Sequence, residues 1–170
     1  MNDCKENTKI QNLISKLEET RKEFWNLPHE SANFINMLIK ISKAKRVLEI
    51  GTSNGYSGIW ISKALQETGG KLDTIEFYQK RIDLAVENFK KADVLDIITI
   101  HQGSALNIID EFEDNTFDFV FIDASKPEYL DYFLKLERKI TKNAIILADN
   151  VTSHYKKVEN FLNYVKNNEN

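Results

Sequence analysis

Apolar positions along the chain recur first at helical and then at strand-like spacing. Ile10, Leu13, Ile14, Leu17 and Phe24 fall on one face of a helix over residues 8–24, which Pro28 ends. Residues 31–43 repeat the period with Phe34, Ile35, Leu38, Ile39 and Ile41. Beyond Lys43 the pattern changes. Residues 46–50 form a short β-prone run ending at Gly51, and residues 56–65 are helical until Gly69-Gly70. A strand over 72–76, a helix over 79–91, a strand over 97–101 and a helix over 106–112 follow. Residues 117–122 are a strand, and Pro127 opens a helix that runs over 128–140. A fifth strand over 144–148 and a last helix over 153–166 complete the pattern. Strands alternating with helices predict βαβ units and a parallel sheet, in an α/β fold. The strands are almost wholly apolar, as strands covered on both faces should be.

Length and charge narrow the class. A chain of 170 residues predicts one domain, with N-terminal helices over 1–44 and an α/β core over 45–166. Apolar residues at 42% and charged residues at 29% are ordinary globular values and exclude a wholly disordered chain. The net charge of −3, from 23 basic and 26 acidic residues, leaves no broad basic footprint for nucleic acid. The single cysteine, Cys4, is expected to be a free thiol at a frayed end. The tail from Asn167 to Asn170 is polar and is also expected to fray. The first residues lack an apolar secretory core, and no apolar run is long enough for a membrane helix. A soluble cytoplasmic protein is expected.

In a parallel α/β sheet, ligands bind beyond the carboxyl ends of the strands, so the chemistry is sought there. The first end reads Glu49-Ile-Gly-Thr-Ser-Asn-Gly-Tyr-Ser57. Gly51 and Gly55 permit a tight turn, and the next helix offers free N–H groups and a positive dipole end. Ser53 replaces the middle glycine of a dinucleotide fingerprint, and no P-loop lysine follows. An NAD-dependent oxidoreductase is therefore disfavoured. Glu76 ends the second strand, where a carboxylate can accept both hydroxyls of a ribose; a solvated acid is the plainer alternative. Gly103-Ser-Ala-Leu106 leaves room for a flat ring, although Ser104 also suits a helix N-cap. Asp123, Asp149 and Asn150 end the fourth and fifth strands. Two carboxylates and an amide oxygen suit Mg²⁺ or Ca²⁺; capping of the following helices is the alternative. Lys126 could lean over the same rim and take a proton from a bound hydroxyl; a solvated surface charge is the plainer alternative. Tyr129 and Tyr132 wall a substrate pocket or pack in the core. His29, His101 and His154 have no ligand spacing and read as structural or surface groups. Phe24, Trp25, Trp60, Phe89, Phe117, Phe119 and Phe121 read as core.

Five stretches together carry a family resemblance: VLEIGTSNGYS over 47–57, DTIE over 73–76, GSAL over 103–106, FIDASKPEYLDY over 121–132 and LADN over 147–150. The chain resembles the S-adenosylmethionine-dependent O-methyltransferases of the catechol and caffeoyl-CoA type, in their small bacterial branch. The resemblance implies a Rossmann-like methyltransferase fold and a homodimer. It implies that Glu49, Gly51 and Thr52 line the methionine end of S-adenosylmethionine, with Ser57 at its carboxylate. Glu76 would take the ribose, and Ser104 and Ala105 would border the adenine. Asp123, Asp149 and Asn150 would ligate a divalent metal, most often Mg²⁺, with Asp123 also beside the cofactor. Lys126 would be the general base, and Tyr132 would lie near the acceptor. The implied acceptor is a small molecule with vicinal aromatic hydroxyls; a hydroxylated uridine of transfer RNA is the alternative. Ser125 and Ser104 stand where many relatives carry acids. Relatives continue into further strands beyond the last helix. Their absence here is expected to leave the acceptor site open, to have it completed by a partner chain, or to leave a cofactor-binding protein without turnover.

Overall fold

The computed structural model describes the backbone of residues 2–168 and the side chains of residues 9–168. The side chain of Cys4 and the last two residues of the polar tail lie outside the described residues, while Asn167 ends the last helix.

Three helices come first: α1 (Asn2–Glu19), α2 (Arg21–Phe24) and α3 (His29–Ser42). The single helix expected over 8–24 is broken at Thr20. Its hydroxyl donates to the Leu17 carbonyl at 2.8 Å, an acceptor that the continuing helix would otherwise use. The alternating core follows as β1 (Arg46–Ile50), α4 (Tyr56–Thr68), β2 (Lys71–Glu76), α5 (Gln79–Lys91), β3 (Ile98–Gln102), α6 (Ala105–Glu111), β4 (Phe117–Ile122), α7 (Tyr129–Leu136), β5 (Ile140–Ala148) and α8 (Tyr155–Asn167). The helix expected over 128–140 stops at Leu136 because β4 captures the chain early. The amides of Thr116 and Phe117 both donate to the Lys139 carbonyl, and Phe117 pairs with Ile140. β5 then bulges before it pairs Phe119 with Ile145.

All neighbouring strands are parallel, in the order β3-β2-β1-β4-β5. One face is covered by α1, α3, α4 and α5, with Ile39, Ile59, Leu65, Phe89, Phe119 and Phe121 in its core. On the other face α6, α7 and α8 bury Ile50, Val120, Ile122, Tyr129 and Leu136. β1 and β4 are fully covered, as their apolar sequences require. β5 is half-buried, and its outer edge has no strand partner among the described residues. No described helix is long and apolar enough to cross a membrane.

The connections from β1 and from β4 run to opposite sides of the sheet, so a crevice opens between their carboxyl ends. There the backbones meet closely. The Asp123 amide donates to the Ile50 carbonyl at 2.9 Å, and the Gly51 amide donates to the Ile75 carbonyl at 3.0 Å. Gly51 has φ +107°, and a Cβ on it would lie 2.2 Å from the Asp123 carbonyl oxygen. Neither the dihedral nor the space admits a side chain. Gly51→Ala should therefore cost about 2–3 kcal/mol of stability, by strain and by separation of the two strand ends. Urea denaturation checks this, and an unchanged midpoint would contradict it.

Candidate active site

A cleft of about 1250 Å³ lies over the carboxyl ends of the strands. The β1–α4 turn, Glu76, the β3–α6 turn, Asp123–Lys126 and Asp149-Asn150 line it, and Arg21, Lys22 and residues 24–28 wall it from the N-terminal segment. Every site residue expected from sequence lines this cleft except Glu49, which lies behind the β1–α4 turn.

Glu49 is the last but one residue of β1 and is fully buried. It faces Thr74 in the parallel register, and Thr74 Oγ1 donates to Glu49 Oε2 at 2.7 Å. Ser57 Oγ donates to Glu49 Oε1 at 2.5 Å. Thr52 and Thr74 share a hydroxyl hydrogen bond of 2.6 Å, which extends the network towards the turn. Burial pushes the Glu49 carboxyl up to about 7; the hydroxyl bonds oppose the shift, and the charges of Asp123 and Glu76 add to it. A buried acid among other acids, held only by hydroxyls, suits a cationic ligand. Ser57, expected to meet a cofactor carboxylate, instead spends its proton on Glu49. In the first turn of α4 the Tyr56 amide donates to Asn54 Oδ1 at 3.3 Å and the Ile59 amide to the Gly55 carbonyl at 3.0 Å, which leaves the amides of Ser57 and Gly58 as the anion donors of the helix end.

Glu76 ends β2 and is nearly buried. Its Oε2 accepts from the Ser53 amide at 2.9 Å, and Oε1 accepts from the amides of Phe77 at 2.9 Å and Tyr78 at 3.0 Å. It is a fixed acceptor, not a solvated strand-end acid. Oε2 keeps a lone pair for an incoming hydroxyl. Ser104 and Ala105 line the cleft beside Gly103. Ser104 stands at the N-cap of α6, but its side chain makes no capping bond.

Asp123 follows β4 directly. Lys126 Nζ donates to its Oδ1 at 2.6 Å and to Tyr129 Oη at 2.9 Å. Burial raises the Asp123 carboxyl above its ordinary range; the Lys126 ammonium opposes this, and the charge of Asp149 reinforces it. Asp149 and Asn150 line the same side of the cleft after β5. None of the three caps a helix. The N-cap residues of the following helices are Glu128 and His154, and Asn150 takes a left-handed turn at φ 59°. Two carboxylates and an amide form a hard-oxygen set suited to a divalent ion. Among the described residues no three His, Cys, Asp or Glu side chains are grouped to hold a metal, so any such ion would rest on the amide as third ligand. Tyr132 lines the cleft and donates to Glu128 Oε2 at 2.6 Å.

Other residues depart from expectation. Trp25 is 75% exposed and lines the cleft instead of entering the core, because its own left-handed backbone (φ 54°) ends α2 and turns the chain outward. Phe24 also lines the cleft. His101 pairs with Asp73 at 2.8 Å and His29 with Glu18 at 2.8 Å, both structural contacts, but His154 lines the cleft. Sequence reading missed Thr74, whose signal was a polar residue inside an apolar strand opposite Glu49. It also left Tyr129 undecided between pocket wall and core.

The family model for O-methyltransferases matches residues 3–167. A catechol O-methyltransferase of Niastella koreensis is 36% identical over 121 residues, covering 69% of this chain and 54% of that protein. Caffeoyl-CoA O-methyltransferase 1 of Eucalyptus globulus is 35% identical over 140 residues, covering 78% of this chain and 56% of that protein. The chain thus spans about half the length of these curated relatives. Among solved structures, the O-methyltransferase from Bacillus cereus in complex with SAH superposes with a TM-score of 0.82 at 26% identity, over 95% of this chain and 80% of that one. TomG from Streptomyces achromogenes, an O-methyltransferase involved in tomaymycin synthesis and solved with SAM, gives 0.83 at 27% identity, over 92% and 78%. Strand order, the glycine turn at the sheet's crevice and these matches agree, and the chain belongs to the O-methyltransferase family.

Proposed function

We propose that residues 1–170 form one S-adenosylmethionine-dependent, divalent-metal-dependent O-methyltransferase domain acting on a small molecule with vicinal aromatic hydroxyls. The observation that carries the reading is one cleft that combines Glu76 at its β1–β2 end, with Glu49 buried behind the β1–α4 turn, and Asp123, Lys126, Asp149 and Asn150 at its β4–β5 end. Glu49, Gly51, Thr52 and Ser57 would hold the methionine end of the cofactor, Glu76 its ribose, and Ser104 and Ala105 its adenine. Bound there, S-adenosylmethionine would supply an electrophilic methyl group, and a divalent cation held by Asp123, Asp149 and Asn150 would supply charge that favours an ionised acceptor hydroxyl.

The chain's own residues then position and deprotonate. Lys126 would take the hydroxyl proton on Nζ, which requires its ammonium first to give up a proton to solvent and to leave its ion pair with Asp123. Tyr132 would border the acceptor. Holding both reactants in one cleft replaces a bimolecular encounter by an intramolecular one. Arg21, Lys22, Arg81 and Lys157 also line the cleft of this otherwise acidic chain, which favours an anionic acceptor. They are the observation behind a second reading, a transfer-RNA hydroxyuridine as acceptor. The outer edge of β5, which has no strand partner among the described residues, supports a homodimer.

Methyl transfer from labelled S-adenosylmethionine to a dihydroxybenzoate should require Mg²⁺ and vanish with chelator. Transfer that persists in chelator would contradict the metal role, and absence of transfer with cofactor still bound would leave a binding protein or the RNA acceptor. Asp149→Ala should abolish metal-dependent transfer and change cofactor affinity by less than about threefold, because Asp149 is not among the residues assigned to the cofactor. Full activity in that variant would remove Asp149 from the metal site.

Glu49 yields a pH prediction. Its carboxyl is raised, so it is largely protonated below about 7, and a cationic ligand binds better to its ionised form. Calorimetric affinity for S-adenosylmethionine should rise as pH increases from 6 to 8, and Glu49→Gln should flatten the profile. Equal slopes in both proteins would contradict the assignment.

A further inference from the structure

We propose that Tyr129 is a positioning residue for Lys126, holding its ammonium at the rim where the ends of β4 and β5 meet. The proposal rests on the methyltransferase reading of the cleft.

Lys126 sits in a short 3₁₀ turn (Lys126–Glu128) just before α7, on a flexible four-carbon stem. Free, such a side chain samples many rotamers, and ordering it carries an entropic cost. Here two contacts order it. Asp123 Oδ1 lies 2.6 Å from Nζ and Tyr129 Oη lies 2.9 Å from it, while Nζ stands 5.2 Å from the centre of the Tyr129 ring. An ammonium has three donors, so one is left for a group in the cleft.

Of these two partners, Tyr129 is the rigid one. Its side chain is fully buried, and its ring packs edge-on against Phe161 at 5.9 Å. Its hydroxyl lies 3.1 Å from the Ile122 carbonyl and 3.2 Å from the Asp149 carbonyl. The first of these precedes Asp123 and the second belongs to Asp149. One phenol proton thus serves the two strand ends that carry the candidate metal acids, while the phenol oxygen accepts from Lys126. If Lys126 is to leave Asp123, and to take a proton once its ammonium has given one up to solvent, the Tyr129 hydroxyl is the contact that keeps Nζ at the rim during the exchange. A tyrosine that served packing alone would need no such convergence, since phenylalanine fills the same volume.

Tyr129→Phe in the full chain tests this in two ways. The first needs no turnover. Lys126 acylation by acetic anhydride is followed by peptide mass spectrometry, with exposed Lys80 as internal reference. The Lys126-to-Lys80 rate ratio should rise on the order of fivefold, the factor of one lost hydrogen bond. An unchanged ratio in a variant of native circular dichroism overturns the proposal, whatever the enzyme's activity. The second is a double-mutant cycle on kcat with a dihydroxybenzoate. Tyr129→Phe should lower kcat on the order of tenfold with cofactor affinity retained, and should cost nothing further in a Lys126→Ala background. An equal loss in both backgrounds would show that Tyr129 acts independently of Lys126 and would overturn the proposal. A wild-type protein that binds cofactor without transferring methyl would count against the methyltransferase reading, and the acylation ratio would still decide the role of Tyr129.

Discussion

The close backbone approach of β1 and β4 is the constraint on which the site depends. The Ile50 carbonyl takes the Asp123 amide, and Gly51 passes so near the Asp123 carbonyl that no Cβ fits. This contact closes the floor of the crevice. It also places two acids with different work on either side of one backbone crossing, Glu49 behind the turn and Asp123 at the rim. Apolar strands on both faces hold that crossing rigid, since Ile50, Phe121 and Ile122 are almost wholly buried.

From that floor the electrostatics follow. Glu49, Glu76 and Asp123 are crowded together, and burial raises Glu49 and Asp123 above their ordinary ranges. The protein does not neutralise all of this charge with its own cations. Lys126 pairs with Asp123, whereas Glu49 is answered by hydroxyls and Glu76 by backbone amides. A cleft built in this way favours ligands that bring positive charge, whether a sulfonium, an ammonium or a metal ion. Its outer lip carries the opposite sign through Arg21, Lys22, Arg81 and Lys157.

Most of this arrangement was legible in the sequence. β4 is apolar apart from Asp118, and in the shorter β1 and β2 the acids Glu49, Asp73 and Glu76 stand out because a covered strand does not tolerate them without a reason. What sequence could not show were contacts set by register and packing. Thr74 meets Glu49 only because β2 pairs with β1 at that residue. Tyr129 reads equally as pocket wall or core and is core by burial, yet its hydroxyl gathers Lys126 and two strand-end carbonyls. Trp25 was read as core because aromatic residues usually are, and a left-handed backbone at its own position turned it into the cleft wall. The early start of β5 escaped notice because strand pairing with Phe117 overrode a helical period.

The central claim is that the crevice between β1 and β4 is a cofactor site organised by strand-end acids. Isothermal titration of S-adenosylhomocysteine into the wild-type chain and into Glu76→Ala tests it most directly. The account predicts saturable one-to-one binding to the wild type and a loss of at least about tenfold in the variant, the scale of a hydrogen bond to a charged group. Equal affinity in the two proteins, or no binding to a folded wild-type chain, would contradict it.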